Sequence, residues 1–199
     1  MIKQIRQAGF SMIEVLVTLI ILMIGLLGLA GLQVQAHIAE LESYQRIQAL
    51  ILLNDMVDRL TLNPNVASCY SFTPDDATGS PFLGIGGDAS ALACSAGTPA
   101  QQTRALVDLA AWDAALKGSA ESGSSGAMIG ARGCIVQEDA TNRVYRISVA
   151  WQGKMNILDP ATSDPVLGAN TKLTCGRGNY GDERMRRILS TTVQIGILT

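Results

Sequence analysis

Four cysteines are the residues of this sequence most able to form covalent bonds. None of them belongs to a C-x-x-C pair, which argues against a zinc site. All four follow a long apolar segment, and an even number beyond such a segment suits an oxidising compartment and two disulfides. Three pairings are possible; we favour Cys69 with Cys94 and Cys134 with Cys175, because each pair then closes a local unit. The alternative is that the four are free, buried thiols.

Catalytic chemistry has little support in the sequence. The only histidine, His37, has no acid or nucleophile at the spacing that a Ser-His-Asp arrangement suggests. Asp75, Asp76 and Asp88 lack the alternating spacing of a calcium loop, so we expect them in turns. We therefore predict a protein that is not an enzyme, with no catalytic residue, metal or cofactor. The net charge of −2 gives no reason to infer a nucleic-acid partner.

One carboxylate lies where an apolar residue would be expected. No residue from Val15 to Leu32 is charged, and a run of this length can span a membrane. Glu14 lies at the edge of that run. An ionised carboxylate at membrane depth is disfavoured by roughly 2.5–3.5 kcal/mol on insertion scales. Glu14 therefore needs either a cationic partner or a position from which it can reach water.

A single long helix is predicted to position Glu14. Beyond Leu32 the apolar residues recur every three or four positions, which is typical of an amphipathic helix. Asn63-Pro64 ends the helix, because the residue before proline is pushed away from the helical conformation. We therefore predict a helix from Phe10 to Leu62 that is apolar all round in its first half. The predicted apolar face of the second half comprises Val34, Ile38, Leu41, Tyr44, Ile47, Ile51, Val57 and Leu60.

The segment before this helix predicts its orientation. Met1 to Gly9 contains Lys3 and Arg6 and no acid. A short basic segment before an apolar run places the N-terminus in the cytoplasm, so the rest of the chain should lie across the membrane. The run is longer than the apolar core of an ordinary secretory signal, which is about 7–15 residues.

The stretch GFSMIEVLVTLIIL, which begins at Gly9, resembles the N-terminal signature of type IV pilins and related pseudopilins. The features that match are the basic leader ending at Gly9, the aromatic Phe10, and Glu14 as fifth residue of the processed chain. The resemblance implies that a prepilin peptidase cuts after Gly9 and N-methylates Phe10. It also implies that the apolar helix first holds the protein in the membrane and later packs in the core of a filament. The new amine at Phe10 can then pair with Glu14 of a neighbouring subunit.

The soluble part is predicted to contain a second helix and several strands. Thr98 can cap a helix that has Pro99 in its first turn and runs through Lys117-Gly118. We predict that Trp112 lies in the core. The predicted apolar face of this helix is Leu106, Leu109, Trp112 and Leu116. A flexible loop, GSAESGSSGA, should follow it.

From Met128 onwards the apolar period changes from helical spacing to two. Strands are predicted at Met128–Gln137, 143–153 and Met185–Leu198, with a further short strand at Thr171–Cys175. The first two form a hairpin around the turn EDATN. In the second strand, Arg146 and Ser148 are assigned to a solvent face. A solvated strand face is also predicted for the basic cluster Arg184, Arg186 and Arg187.

These elements predict an α+β protein with a pilin fold. Its long N-terminal helix has a transmembrane half and an amphipathic half, and the latter packs on an antiparallel sheet of three to four strands, which buries both apolar faces. The predicted regions are a cleaved leader (1–9), a membrane and filament-core helix (10–33), the amphipathic half (34–63), a variable loop and helix region (64–127) and the sheet (128–199).

Three later motifs, DLAAWDAAL, GARGCIVQ and YRISVAWQG, occur in an order that resembles the PilV-type minor pilins, the type IV pilus modification proteins. This resemblance implies a minor pilin that primes pilus assembly for adhesion, twitching motility or DNA uptake. Its implied partners are the prepilin peptidase, other minor and major pilins, and the inner membrane. The soluble domain would lie in the periplasm until assembly into a surface pilus. The alternatives are a type II secretion pseudopilin and a surface adhesin on a pilin-type anchor.

Overall fold

The computed structural model describes residues 9–75, 78–118, 128–157 and 173–196. Leader residues 1–8, most of the predicted loop after the second helix, and the last three residues lie outside this range. The chain divides into two units, Met1–Leu41 and Glu42–Thr199.

The described elements form an α+β fold. The helices are α1 (Met12–Leu62) and α2 (Pro99–Leu116), and the strands are β1 (Leu83–Gly84), β2 (Arg132–Asp139), β3 (Val144–Gln152) and β4 (Arg186–Gln194). Short 3-10 turns lie at Pro64–Tyr70, Ala89–Ala91 and Glu183–Met185. The strands form one antiparallel sheet in the order β1-β2-β3-β4. The predicted combination of a long N-terminal helix and an antiparallel sheet, which is the pilin fold, is confirmed.

The face of α1 that packs on the sheet agrees with the predicted one only near the end of the helix, at Val57 and Leu60. The buried residues of α1 are Gln45, Ala49, Leu53, Met56 and Leu60, which recur every three or four positions and so share one side of the helix. Tyr44, Ile47 and Ile51, which we assigned to the buried face, are each more than half exposed. The second half of α1 therefore carries two apolar stripes, and periodicity alone could not tell which one meets the sheet.

α2 begins and packs largely as predicted. The Thr98 side chain accepts from the backbone N–H of Gln101, and the Gln101 side chain accepts from the backbone N–H of Thr98, which makes a capping box. Trp112 is fully buried, and its indole Nε1 donates to the Leu52 carbonyl at 2.8 Å. The predicted apolar face was wrong at Leu106, which is partly exposed, since Ala105 takes the buried position beside it.

The sheet is covered on both sides, so β3 is not half-buried as predicted. Tyr145, Ile147, Val149 and Trp151 join the main core with residues of α1 and α2. Arg146 and Ser148, on the opposite side, are also buried. A second apolar cluster contributes to the cover of that opposite side, and its buried members are Phe82, Cys134 and Cys175.

The strands differ from the prediction in several places. β4 covers Arg186–Gln194 of the predicted Met185–Leu198, of which residues 197 and 198 lie outside the described range. β2 begins at Arg132 rather than Met128, because Gly130 has a positive φ of 63° and forms a turn. The short strand β1 was missed, since two residues are too few to show a period of two. In the stretch Thr171–Cys175, the residues described, 173–175, are not in a strand, and the other two lie outside the described range.

Candidate functional site

The predicted processing and assembly residues lie at the start of α1. Gly9, Phe10 and Ser11 are outside the helix, and Phe10 is almost fully exposed. Helical bonding begins at Ser11, whose carbonyl accepts from the backbone N–H of Glu14 at 3.0 Å and of Val15 at 3.3 Å. The helix therefore starts two residues later than predicted. The S-x-x-E pattern of Ser11 and Glu14, which is typical of helix starts, could have located this boundary.

Glu14 lies in the first turn of α1, where the positive end of the helix dipole favours a carboxylate. It is the only charged residue between Met12 and Ala36. Within the described residues no salt bridge reaches it, and its side chain is exposed. The carboxylate is therefore accessible to a cationic group on another molecule.

The helix that carries Glu14 is long and apolar enough to cross a membrane, by length and composition. Its most apolar segment buries none of its residues within the protein. An exposed apolar surface of this kind requires lipid or other apolar helices around it.

A fold of this type, with an apolar N-terminal helix continuing into an α+β unit, defines a pilin-like class of protein. Residues 5–30 match the model of the prokaryotic N-terminal methylation motif. No curated protein and no solved structure matches the chain. Together, the motif and the fold support a type IV pilin-like protein, that is, a pilin or pseudopilin. They fit a membrane-anchored, structural and non-enzymatic role.

Two disulfides close local units of the soluble part. Cys69 is bonded to Cys94, which ties the turn after α1 to the segment before α2. Cys134 is bonded to Cys175, which ties β2 to the loop before β4. This is the pairing that the sequence favoured. Among the described residues, no group of His, Cys, Asp or Glu side chains could hold a metal ion.

A carboxylate of α1 holds the loop after β3 and the start of β4. Oε1 of Glu42 accepts from Nη2 of Arg187 at 2.9 Å, from the backbone N–H of Lys154 at 3.0 Å and from that of Met155 at 3.3 Å. Nη2 of Arg187 also donates to the Met155 carbonyl at 2.7 Å. The sequence carried no signal for this contact, because its partners lie more than a hundred positions apart.

The basic cluster at the start of β4 is not a solvated strand face, which corrects our prediction. Arg186 is fully buried, pairs with Glu183 at 2.6 Å, and donates to the carbonyls of Leu173 and Cys175. Arg187 pairs with Glu42, and only Arg184 is well exposed. An arginine can be buried when its several N–H groups find acceptors inside the protein. The alternation of arginines with apolar residues therefore did not show which side of the strand faces solvent.

A second polar cluster joins the end of α1 to α2. The buried carboxylate of Asp108 accepts from Nη1 of Arg59 at 3.1 Å, from Nε of Arg104 at 3.1 Å and from the Tyr70 hydroxyl at 2.8 Å. A hydrogen bond to the carboxylate of Asp55 raises the pKa of Arg59. Burial, together with the bond to Asp108, raises the pKa of Tyr70 to about 12.

Proposed function

We propose that this protein is a minor pilin of a type IV pilus that acts in the priming of pilus assembly. In this proposal a prepilin peptidase removes residues 1–9 and N-methylates Phe10. The protein is first anchored in the inner membrane with its soluble domain in the periplasm. It then enters a surface pilus with other minor and major pilins. Adhesion, twitching motility or DNA uptake would depend on that pilus.

The single observation that carries the proposal is the methylation motif, with Glu14 exposed in the first turn of an apolar helix. Cleavage after Gly9 creates an amine at Phe10. That amine is a cation, and an apolar surrounding strengthens its attraction to a carboxylate. Pairing between Phe10 of one subunit and Glu14 of the next would offset the two helices by roughly one turn. The pair would thus set the axial register of assembly.

The exposed stripe of α1 supports assembly through helices as well. Tyr44, Ile47 and Ile51 stay exposed although the other side of the helix is buried against the sheet. Apolar residues at this spacing suit contact with another helix. The stripe lies on the same helix as the motif. Neighbouring subunits would therefore contact each other along the second half of α1 as well as along its apolar first half.

The direct test replaces Glu14 by alanine in the full chain. We expect Glu14→Ala to be cleaved after Gly9 and inserted in the membrane, as shown by mass and fractionation. Its amount in sheared filaments should fall about tenfold or more, because a charge-assisted pair in apolar surroundings is worth more than the roughly 1.4 kcal/mol that a factor of ten requires. The matched control is Glu40→Ala, an exposed carboxylate on the same helix beyond the apolar run. Normal incorporation of Glu14→Ala would contradict the role given to this residue.

Deletion of the gene separates the candidate functions. Loss of surface pili with normal protein secretion is the result expected for a minor pilin. Lost secretion with intact pili would instead indicate a type II secretion pseudopilin. Intact pili and secretion with lost binding to target cells would indicate an adhesin on a pilin-type anchor.

A further inference from the structure

The last turn of α1 and the start of α2 line an open surface cavity of about 390 Å³. Its walls include Arg59 and Leu62 from α1, Asn63 just after it, and Arg104 and Asp108 from α2. The proposed filament contacts at the start of α1 make no use of this cavity.

Both arginines are held in place from behind by one buried carboxylate. Oδ1 of Asp108 accepts a hydrogen bond from Nη1 of Arg59, and Oδ2 accepts one from Nε of Arg104, each at 3.1 Å. The Tyr70 hydroxyl, 2.8 Å from Oδ2, fixes the carboxylate in turn. Since a guanidinium is planar and rigid, anchoring one edge of it fixes the direction of the remaining N–H groups.

The other edges of the two guanidinium groups keep free donors. Arg59 uses Nε on Asp55 and Nη1 on Asp108. In the part of the chain that the structure describes, no hydrogen bond occupies its Nη2 or either Nη of Arg104. The Arg104 side chain is 63% exposed, so these donors are accessible from the cavity.

We propose that this cavity binds the carboxylate of an acidic side chain from a protein partner. Arg104, with both Nη groups unoccupied, can bind a planar carboxylate through parallel hydrogen bonds, and Arg59 can add a hydrogen bond from Nη2. Leu62, exposed on the wall of the cavity, offers an apolar contact for the stem of that side chain. The positive charges of Arg59 and Arg104 are balanced by Asp55 and Asp108, which favours a singly charged ligand over a phosphate dianion.

This site is independent of the proposed function, because it concerns only residues of the soluble unit. The test is an NMR titration of the full chain in detergent micelles with the blocked dipeptide N-acetyl-Leu-Glu-amide. N-acetyl-Leu-Gln-amide, the neutral isostere, is the ligand control. We expect a dissociation constant of about 0.1–1 mM, which is within the binding energy that a ligand of this size can reach. We expect saturable shifts of the Asn63 side-chain amide and the Gln101 backbone N–H with the glutamyl peptide only.

Two variants test whether the arginines of the cavity bind the glutamyl peptide. Arg104→Gln should weaken binding about tenfold or more, because charge-assisted hydrogen bonds are lost. The fold should survive, since Asp108 keeps Arg59 and Tyr70 as partners. Arg184→Gln removes an arginine that is 60% exposed and also paired with an aspartate, and it should leave binding unchanged.

Four outcomes would overturn the proposal. Equal binding of the two peptides would show that no carboxylate is recognised. A second outcome is that Arg104→Gln binds the glutamyl peptide as the wild type does, and a third is that no saturable shift is seen with either peptide. Either result would mean that the two arginines only connect α1 to α2. Tighter binding of inorganic phosphate, with the same dependence on Arg104, would replace the carboxylate site by a phosphate site.

Discussion

Replacing Glu42 by alanine should destabilise the soluble unit more than any other single change among the surface carboxylates of α1. The Glu42 side chain is only 24% exposed, and that of its partner Arg187 only 12%. One oxygen of Glu42 accepts three hydrogen bonds, from Arg187 and from the backbone of Lys154 and Met155. The substitution removes all three at once.

The loss of stability depends on the groups that Glu42→Ala leaves without their acceptor. Hydrogen bonds to a charged group contribute about 1.5–3 kcal/mol, and breaking a fully buried ion pair costs about 3–5 kcal/mol. Glu42 retains some contact with water, and Arg187 keeps the carbonyls of Met155 and Arg184. We therefore expect a loss of about 2–3 kcal/mol in the free energy of unfolding, or about 5–10 °C in Tm for a chain of this size.

Thermal unfolding of the full chain in detergent micelles, followed by tryptophan fluorescence, measures this loss. Trp112 and Trp151 are both buried in the soluble unit, so their emission reports its unfolding and not that of the apolar helix. Glu42→Gln should lie between the wild type and Glu42→Ala, because it keeps an acceptor for the two backbone N–H groups.

Glu40→Ala is the matched control for this measurement. Glu40 lies two positions earlier on the same helix, and its pair with His37 is well exposed, so the change should stay within about 0.5 kcal/mol. The reasoning is refuted if Glu42→Ala and Glu40→Ala unfold at the same temperature. That result would mean that water replaces the three bonds of Glu42 without loss.

Two further predictions concern the core. Because the pKa of Tyr70 is raised from its ordinary 10.0 to about 12, the folded state holds this proton more tightly, so its contribution is complete below pH 10 and is lost as the pH rises towards 12. Tyr70→Phe should flatten, without abolishing, the alkaline fall in stability measured by denaturant unfolding; an unchanged slope would contradict the assignment. Gly133→Ala should cost about 1–3 kcal/mol, because its Cβ would lie 2.3 Å from the Trp112 ring, whereas a Cβ at Gly196 meets open space. Equal Tm values for these two glycine variants would disprove the close packing.

Local signals predicted the end of α1, the start of α2 and the likeness to pilins. Asn63-Pro64 ends α1 because proline restricts the residue before it, and Thr98-Pro99 starts α2 because the cap and the first turn need only neighbouring residues. The stretch from Gly9 to Glu14 is equally local. The motif, the long helix and the alternating strands were therefore predictable from short stretches of chain.

Tertiary packing decided which apolar stripe of α1 is buried and whether the second side of the sheet is covered. α1 has two apolar stripes, and the one that contains Ala49, Leu53 and Met56 is buried in the core. Arg146 and Arg186 are buried because distant segments cover the second side of the sheet. Asp108 meets Arg59 across 49 positions of sequence. Periodicity describes one element at a time, whereas burial depends on what the fold places opposite it.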